Sequence, residues 1–271
     1  MTALFLPFRL QFVLILTIEY MQIVFFAYEK SFYKPQARIM KQIQLRAQTI
    51  FRIVLFSLAI WIPRQSTAQL INAASYDHVI RVACVGNSIT WGFGIENRDS
   101  LSYPAQLGRL LGEKWEVRNF GVSSRTLLSK GDRPYINEQA YADAKAFLPD
   151  VVLIKLGTND TKPRNWEFIA DLETDYRSLI QSFQQLDSKP LVILLKAVPA
   201  FPERWGISDS LINGELNPRI EKLAKELGLP CIDLHAPMVG RGNLFPDLIH
   251  PNAEGAGIMA RILFNELTGS E

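Results

Sequence analysis

The chain has 271 residues, of which 48% are hydrophobic and 21% are charged, and its formal net charge is +2. This length permits one large domain or two small ones, and the apolar content excludes a disordered or low-complexity chain. The two cysteines are too few for a disulfide framework or a site of four thiolates. Whether the positive charge points to an anionic partner depends on where the basic residues lie.

Two apolar runs lie near the N-terminus. Residues 12–28 form the first, broken only by Glu19, and residues 50–62 form the second, broken by Arg52. Each run is shorter than the ~20 apolar residues of a membrane-spanning helix and has a charge inside it, which disfavours transmembrane helices. The alternative that both runs span a membrane stays open at this point.

The second run has the features of an export signal. Lys41 and Arg46 precede it, and the small residues Ser66 and Ala68 follow it at the spacing that a signal peptidase accepts. We therefore predict a signal peptide at residues 40–68 that is cleaved after Ala68. The protein would then be exported, to the periplasm or to the outside of the cell.

The excess of basic over acidic residues comes from the N-terminal 68 residues. Residues 1–68 hold eight of the 29 Lys and Arg and two of the 27 Asp and Glu, so residues 69–271 have a net charge of −4. Nucleic acid is therefore not an expected partner. Residues 1–39 are either an over-extended start or a hydrophobic anchor, and the protein would reach a membrane only through an uncleaved N-terminus. Residues 69–271 have a normal size for one domain.

Short apolar segments alternate with helical patterns after residue 69. The predicted strands are residues 79–85, 115–120, 151–156, 191–198 and 230–234. Apolar side chains at spacings of three and four predict helices over residues 168–186, through 220–227 with Gly228 as the terminating glycine, and over 253–267. Near-continuous apolar strands alternating with amphipathic helices predict an α/β fold with a doubly wound parallel sheet.

Polar motifs follow the predicted strands. They occupy residues 86–90 after the first strand, 119–123 after the second, 157–160 after the third, and 247–251 before the last helix. Because a parallel sheet forms its site at the carboxyl ends of the strands, we expect these four motifs to meet. Each motif alone is weak, but the four together, in this order, are specific.

With these motifs, residues 79–267 resemble the SGNH (GDSL) hydrolase family. The resemblance implies a flavodoxin-like sheet of five parallel strands with helices on both faces, and a serine esterase that needs no cofactor. It implies that Ser88 is the nucleophile, and that Asp247 and His250 complete a triad. It also implies that Ser88, Gly121 and Asn159 form the oxyanion hole.

The chemistry of these residue types supports the triad. A serine hydroxyl becomes nucleophilic only when a base accepts its proton, and His250 has an acid three residues earlier to orient its ring. The other two histidines lack this arrangement, since His78 precedes the first strand and His235 ends the fifth. A metal site at Asp247 and His250 would lack a third ligand nearby, so no metal is expected.

The oxyanion of an acyl-transfer intermediate needs hydrogen-bond donors aimed at it. The backbone N–H groups of Ser88 and Gly121 and the side-chain amide of Asn159 could supply three. The alternative is that Gly121 and Asn159 are ordinary turn residues. One departure from the family pattern is Asn87, which stands where an aspartate usually precedes the serine and should tune the turn without removing catalysis.

Aromatic and basic residues suggest the substrate. They follow the motifs closely, at Trp91, Arg125, Arg164, Trp166 and Trp205. Such side chains suit sugars, although they would equally pack loops. The pattern is similar to family members that remove acetyl groups from carbohydrates, of the sialate or xylan type. The alternatives are a lysophospholipase or thioesterase acting on longer acyl chains, and a non-catalytic carbohydrate-binding relative.

Overall fold

The computed structural model describes residues 69–201 and 204–270. The predicted N-terminal extension at residues 1–39 and the predicted signal peptide at residues 40–68 lie outside these ranges. Among the described residues, no helix is both long and apolar enough to cross a membrane.

Five parallel strands form a single sheet. They are β1 (Ile80–Gly86), β2 (Trp115–Gly121), β3 (Val151–Lys155), β4 (Leu191–Leu195) and β5 (Cys231–Ile232). The strand order is β2-β1-β3-β4-β5, with every neighbouring pair parallel. This is the flavodoxin-like order, and it confirms the predicted fold class.

Helices connect the strands. They are α1 (Ser88–Trp91), α2 (Arg98–Leu101), α3 (Tyr103–Leu111), α4 (Gln139–Ala146), α5 (Pro163–Trp166), α6 (Leu172–Gln184), α7 (Asp209–Leu211), α8 (Asn217–Leu227) and α9 (Ala253–Thr268). A π-helical turn, Ile212–Leu216, joins α7 to α8. Helix α8 ends at Gly228 in the left-handed conformation, as its sequence predicts.

The sheet buries both of its faces, which is why its central strands are apolar at nearly every position. Strand residues such as Val152 and Ile154 pack with α4, α6 and α8 on one face. Their neighbours Val151 and Leu153 pack with α3 and α9 on the other. Both faces are therefore covered, as a doubly wound fold requires.

The fourth strand is shorter than its apolar run. The run continues to residue 198, but β4 ends at Leu195 because a side chain replaces the ladder beyond it. Asn217 on α8 accepts a hydrogen bond from the Ala197 N–H at 2.7 Å and donates one to the Ala197 carbonyl at 3.0 Å. A buried asparagine thus satisfies both backbone groups of Ala197 at the edge of the sheet where the motifs lie.

Candidate active site

Ser88 lies at the first position of α1, directly beyond β1. The Asn87 side chain accepts a hydrogen bond from the Ile89 N–H at 3.1 Å and caps the helix, and Gly92 ends it in the left-handed conformation. Gly86 has to be glycine, since a Cβ there would overlap Thr90 and approach the Lys155 carbonyl to 2.8 Å. The sharp passage from strand to helix therefore places Ser88 at the carboxyl edge of the sheet.

His250 and Asp247 come from the segment before α9. Asp247 Oδ1 accepts hydrogen bonds from the backbone N–H groups of Ile249, at 3.0 Å, and His250, at 2.7 Å. The other carboxylate oxygen lies 2.7 Å from His250 Nδ1, and His250 Nε2 lies 2.7 Å from Ser88 Oγ. The structure brings the three predicted residues into one continuous hydrogen-bonded chain.

The surroundings of His250 favour a neutral imidazole facing the serine. Burial lowers the pKa of His250, the Asp247 carboxylate opposes that shift, and the positive charges of Lys155 and Lys162 add to it. Burial raises the pKa of Asp247, but its hydrogen bonds with His250 and Ile249 outweigh that and lower it. With Asp247 ionised and Nδ1 donating to it, Nε2 is left as the acceptor for the Ser88 hydroxyl.

Asn159 is held beside the loop that follows β2. It is buried just after β3, and its Nδ2 donates one hydrogen bond to the Arg125 carbonyl at 3.0 Å. Its backbone carbonyl accepts from Asn165 Nδ2 at 2.9 Å. The bond to Arg125 orients the side-chain amide, and one Nδ2–H stays available for a ligand.

Gly121, predicted as an oxyanion donor, lies at the end of β2. Its N–H already donates to the Asn119 side-chain oxygen at 2.9 Å. A Cβ at this position would overlap the backbone nitrogen of Trp91, so the glycine allows α1 to pack closely against the end of β2. Close packing by itself is sufficient to explain why this residue is glycine.

The neighbouring Ser124 has a backbone N–H that could serve as a further donor, and the sequence analysis did not include it. Its φ of 67° lies in the left-handed region, and its N–H has no hydrogen-bond acceptor among the described residues. It stands between Ser123, which lines a cleft, and Arg125, whose carbonyl accepts from Asn159. The usual signal for such a turn is a glycine, which this loop lacks at that position.

Asp160 also binds the loop that follows β2. Its buried carboxylate accepts hydrogen bonds from the N–H groups of Leu127, at 3.1 Å, and Leu128, at 2.8 Å. Burial nevertheless raises the pKa of Asp160 to about 6. Asp160 and Asn159 thus join the loop after β2 to the segment after β3 by three hydrogen bonds, two to Asp160 and one from Asn159.

An open cleft of about 650 Å³ lies between the loop that follows α1 and the loop that follows β2. It is lined by Trp91, Phe93, Gly94, Ile95, Val122, Ser123 and Arg125. The Phe93 ring lies 4.6 Å from the His250 ring, and the Trp205 ring lies 5.9 Å from it. Both aromatic side chains are open to solvent, at 43% and 52% exposure. They flank the imidazole from loops that follow β1 and β4.

The predicted substrate residues divide into two groups. Trp91 and Arg125 line the cleft, and Trp205 lies beside His250. Arg164 instead forms an exposed ion pair with Asp132 at 2.6 Å. Trp166 does not line the cleft either, because α5 is fixed to the Asp132 segment through Asn165.

The other two histidines lie in separate hydrogen-bonded pairs. His78, before β1, is 3.1 Å from Asp150 at the opposite edge of the sheet. His235 is buried, with Nε2 3.1 Å from Asp209. Within the described ranges, no group of three or more His, Cys, Asp and Glu side chains could hold a metal ion.

Residues 84–258 match the model of the GDSL-like lipase/acylhydrolase family. An acetylxylan esterase from Xylanibacter ruminicola is 48% identical over 208 residues. The match covers 70% of this chain, and the chain spans 43% of the length of that relative.

Two solved structures show the same fold. A carbohydrate acetylesterase from Sinorhizobium meliloti is 19% identical, with a TM-score of 0.55 over 69% of this chain and 98% of that one. A catalytic mutant of an acetylxylan esterase from Geobacillus stearothermophilus is 20% identical, with a TM-score of 0.55 over 70% of this chain and 94% of that one.

Proposed function

Because the chain belongs to the GDSL-like lipase/acylhydrolase family, we propose that it hydrolyses carboxylic esters by a serine mechanism. Ser88 is the nucleophile, His250 the general base and Asp247 the residue that orients the imidazole. The observation that carries this proposal is the chain of two 2.7 Å contacts from Ser88 Oγ through the imidazole to the Asp247 carboxylate.

The reaction proceeds in two halves. His250 Nε2 takes the proton of Ser88 as Oγ attacks the ester carbonyl, and the tetrahedral intermediate expels the alcohol, which receives that proton. A water molecule then attacks the acyl-serine while Nε2 accepts a water proton. Collapse of the second intermediate releases the carboxylic acid and returns the proton to Ser88. No cofactor enters either half.

The oxyanion is bound by three N–H groups. They are the backbone amides of Ser88 and Ser124 and the side-chain amide of Asn159. Among the described residues, neither backbone amide has another acceptor, and the Asn159 amide plane is already fixed by its bond to Arg125. Donors that are oriented before the substrate arrives stabilise developing charge without reorganisation.

We expect Asn159→Ala to lower kcat by about 10²- to 10³-fold with little change in KM, because the lost donor acts on the oxyanion. Steady-state kinetics on an acetyl ester measure the effect. Asn137→Ala, at an exposed asparagine outside the site, is the control and should retain full activity. A kcat within about threefold of the parent enzyme would remove Asn159 from the oxyanion hole.

The acyl group is acetyl and the alcohol a carbohydrate. The related acetylxylan esterase supports this substrate class. The exposed rings of Phe93 and Trp205 beside His250 also support it, because the flat C–H face of a sugar stacks on aromatic side chains. The alcohol part of the ester would lie at these rings, next to the imidazole that protonates it.

Hydrolysis of p-nitrophenyl esters from acetate to palmitate, together with acetate release from acetylated xylan, tests the substrate. We expect a maximum at acetate and release from the polysaccharide. A maximum at long chains would instead support a lysophospholipase or thioesterase. Binding of glycans without any ester hydrolysis would leave a non-catalytic carbohydrate-binding protein.

Trp205→Ala should raise KM for acetylated xylo-oligosaccharides by roughly tenfold, since it removes a stacking surface. The KM for ethyl acetate, which has no sugar ring to stack, should stay unchanged. Trp166→Ala is the matched control, because among the described residues that indole, unlike Trp205, does not pack against the His250 ring. Equal changes for both substrates would mean that Trp205 supports the loop and not the sugar.

We also propose that the enzyme is exported. A signal peptide at residues 40–68 would bring the enzyme to its polymeric substrate outside the cytoplasm. N-terminal sequencing of the protein from its native host tests this. A start at Gln69 supports export with cleavage, whereas an intact N-terminus would indicate a membrane anchor.

A further inference from the structure

One buried lysine takes no part in the proton transfers and bond changes described above. Lys155 is the last residue of β3, and its side chain is completely shielded from solvent. Its Nζ has one hydrogen-bond partner among the described residues, Thr158 Oγ1 at 3.2 Å, and forms no ion pair with a described carboxylate. Burial alone lowers the pKa of this amine to about 7.

The position of Lys155 in the sheet places it next to the reacting groups. The β1–β3 register pairs it with Gly86, two residues before Ser88. Its partner Thr158 is also buried and directly precedes Asn159. Lys155 therefore lies at the end of β3, between the segment that leads to the nucleophile and the segment that carries Asn159.

A buried ammonium without a countercharge destabilises the fold. Replacement of buried charges by apolar groups of similar volume is often stabilising, and methionine would fill the same space at the end of β3. An unfavourable group beside a reaction centre is a candidate for a functional role, because active sites are where such groups are retained.

The charges around His250 show what that role would be. The carboxylate of Asp247 favours the imidazolium, whereas the cations of Lys155 and Lys162 oppose it. Arg204 donates a hydrogen bond to the backbone carbonyl of Asp247 at 3.1 Å. Of the two opposing lysines, Lys155 has the larger effect on His250 and is the one sealed from screening by solvent.

We propose that Lys155 is a positioning residue for ester hydrolysis, a buried cation that keeps His250 neutral and able to accept a proton in mildly acidic solution. This inference rests on the proposed function, in which His250 is the base. Because the pKa of Lys155 is about 7, the cation is present at the acidic pH values where His250 would gain a proton. Above pH 7 the amine loses its charge, and the effect ends.

Lys155→Met tests the proposal through two measurements: kcat/KM at acidic pH, which should fall, and the melting temperature, which should rise. We expect kcat/KM at pH 5 to fall by about three- to tenfold, because the imidazole protonates more readily, and to stay within about twofold at pH 8. The melting temperature should rise by several degrees. If Lys155 only packs, its replacement should lower the melting temperature. It should also leave the acid limb, the fall of kcat/KM toward acidic pH, unchanged. That result would overturn the proposal.

Lys196→Met is the matched control. Lys196 follows β4 and is paired with Asp233 at 2.7 Å and Glu221 at 3.4 Å, so its loss should lower stability without moving the acid limb. If Lys155→Met folds poorly, Lys155→Gln removes the charge and keeps a donor for Thr158, and it should show the same acid-side loss.

An NMR titration of the His250 ring separates this inference from the proposed function. The inference requires the pKa of His250 to be higher in Lys155→Met than in the parent protein, whether or not esters are hydrolysed. An unchanged titration would refute it. A folded parent protein that hydrolyses no ester, but shows the shifted titration, would contradict only the esterase proposal.

Discussion

Ser88→Ala is expected to lower kcat for acetyl ester hydrolysis by about 10⁵- to 10⁶-fold, the loss typical of removing the nucleophile of a serine hydrolase. The Ser88 hydroxyl is the group 2.7 Å from His250 Nε2, and no other described side chain hydrogen-bonds to that nitrogen. Alanine removes one oxygen from the first turn of α1, whose cap is made by Asn87 and stays intact. The fold should therefore be unaffected.

Two measurements check this expectation. Steady-state kinetics give the rate, and mass spectrometry after treatment with an organophosphonate gives the site of covalent attachment. The parent protein should gain one adduct and Ser88→Ala none. Ser182→Ala is the control, since Ser182 lies on α6 and bonds only the Leu179 carbonyl. Adduct formation in Ser88→Ala would place the nucleophile elsewhere.

Asp247→Asn should lower kcat by about 10⁴-fold at neutral pH, because it reverses the tautomer of the catalytic imidazole. The backbone N–H groups of Ile249 and His250 both donate to Oδ1 of Asp247. An asparagine would keep its carbonyl oxygen toward these donors, which turns its NH₂ group toward His250 Nδ1. That nitrogen must then accept, so the proton moves to Nε2, which can no longer take the proton of Ser88.

The control for this substitution is another aspartate that caps a turn in the same way. Asp233 Oδ1 accepts from the N–H groups of His235, at 2.7 Å, and Ala236, at 3.0 Å, but touches no member of the Ser88–His250–Asp247 chain. Asp233→Asn should retain activity. A loss in Asp247→Asn no larger than that in Asp233→Asn would mean that the carboxylate only shapes the turn.

The pH dependence of the parent protein should reflect the lowered pKa of His250. Since burial and the neighbouring lysines lower the pKa of His250, its neutral form persists below the usual range for histidine. Activity should therefore rise with pH, and the midpoint of this rise should lie below the ordinary pKa of histidine. The direction agrees with that expected from the base role of His250.

Local patterns were sufficient to predict the fold class. Near-continuous apolar segments can be buried only between two layers of helices, so the parallel sheet follows from strands such as β3 and the amphipathic helix α6. Element ends were less predictable. The sequence could not show that Asn217 takes over the backbone bonds of Ala197 and ends β4 early, because that contact joins residues 20 positions apart.

By itself, the sequence determined that this is a doubly wound α/β chain of the GDSL-like lipase/acylhydrolase family, and it placed Ser88, Asp247 and His250 on motifs expected to meet. Only the tertiary structure decided how the neighbouring groups are used. In the part of the chain that the structure describes, the Gly121 N–H donates to Asn119 and the Ser124 N–H has no acceptor, while Lys155 pairs with Gly86 in the sheet. The physical reason is that hydrogen-bond direction and burial depend on contacts between distant segments, which residue types and spacings do not record.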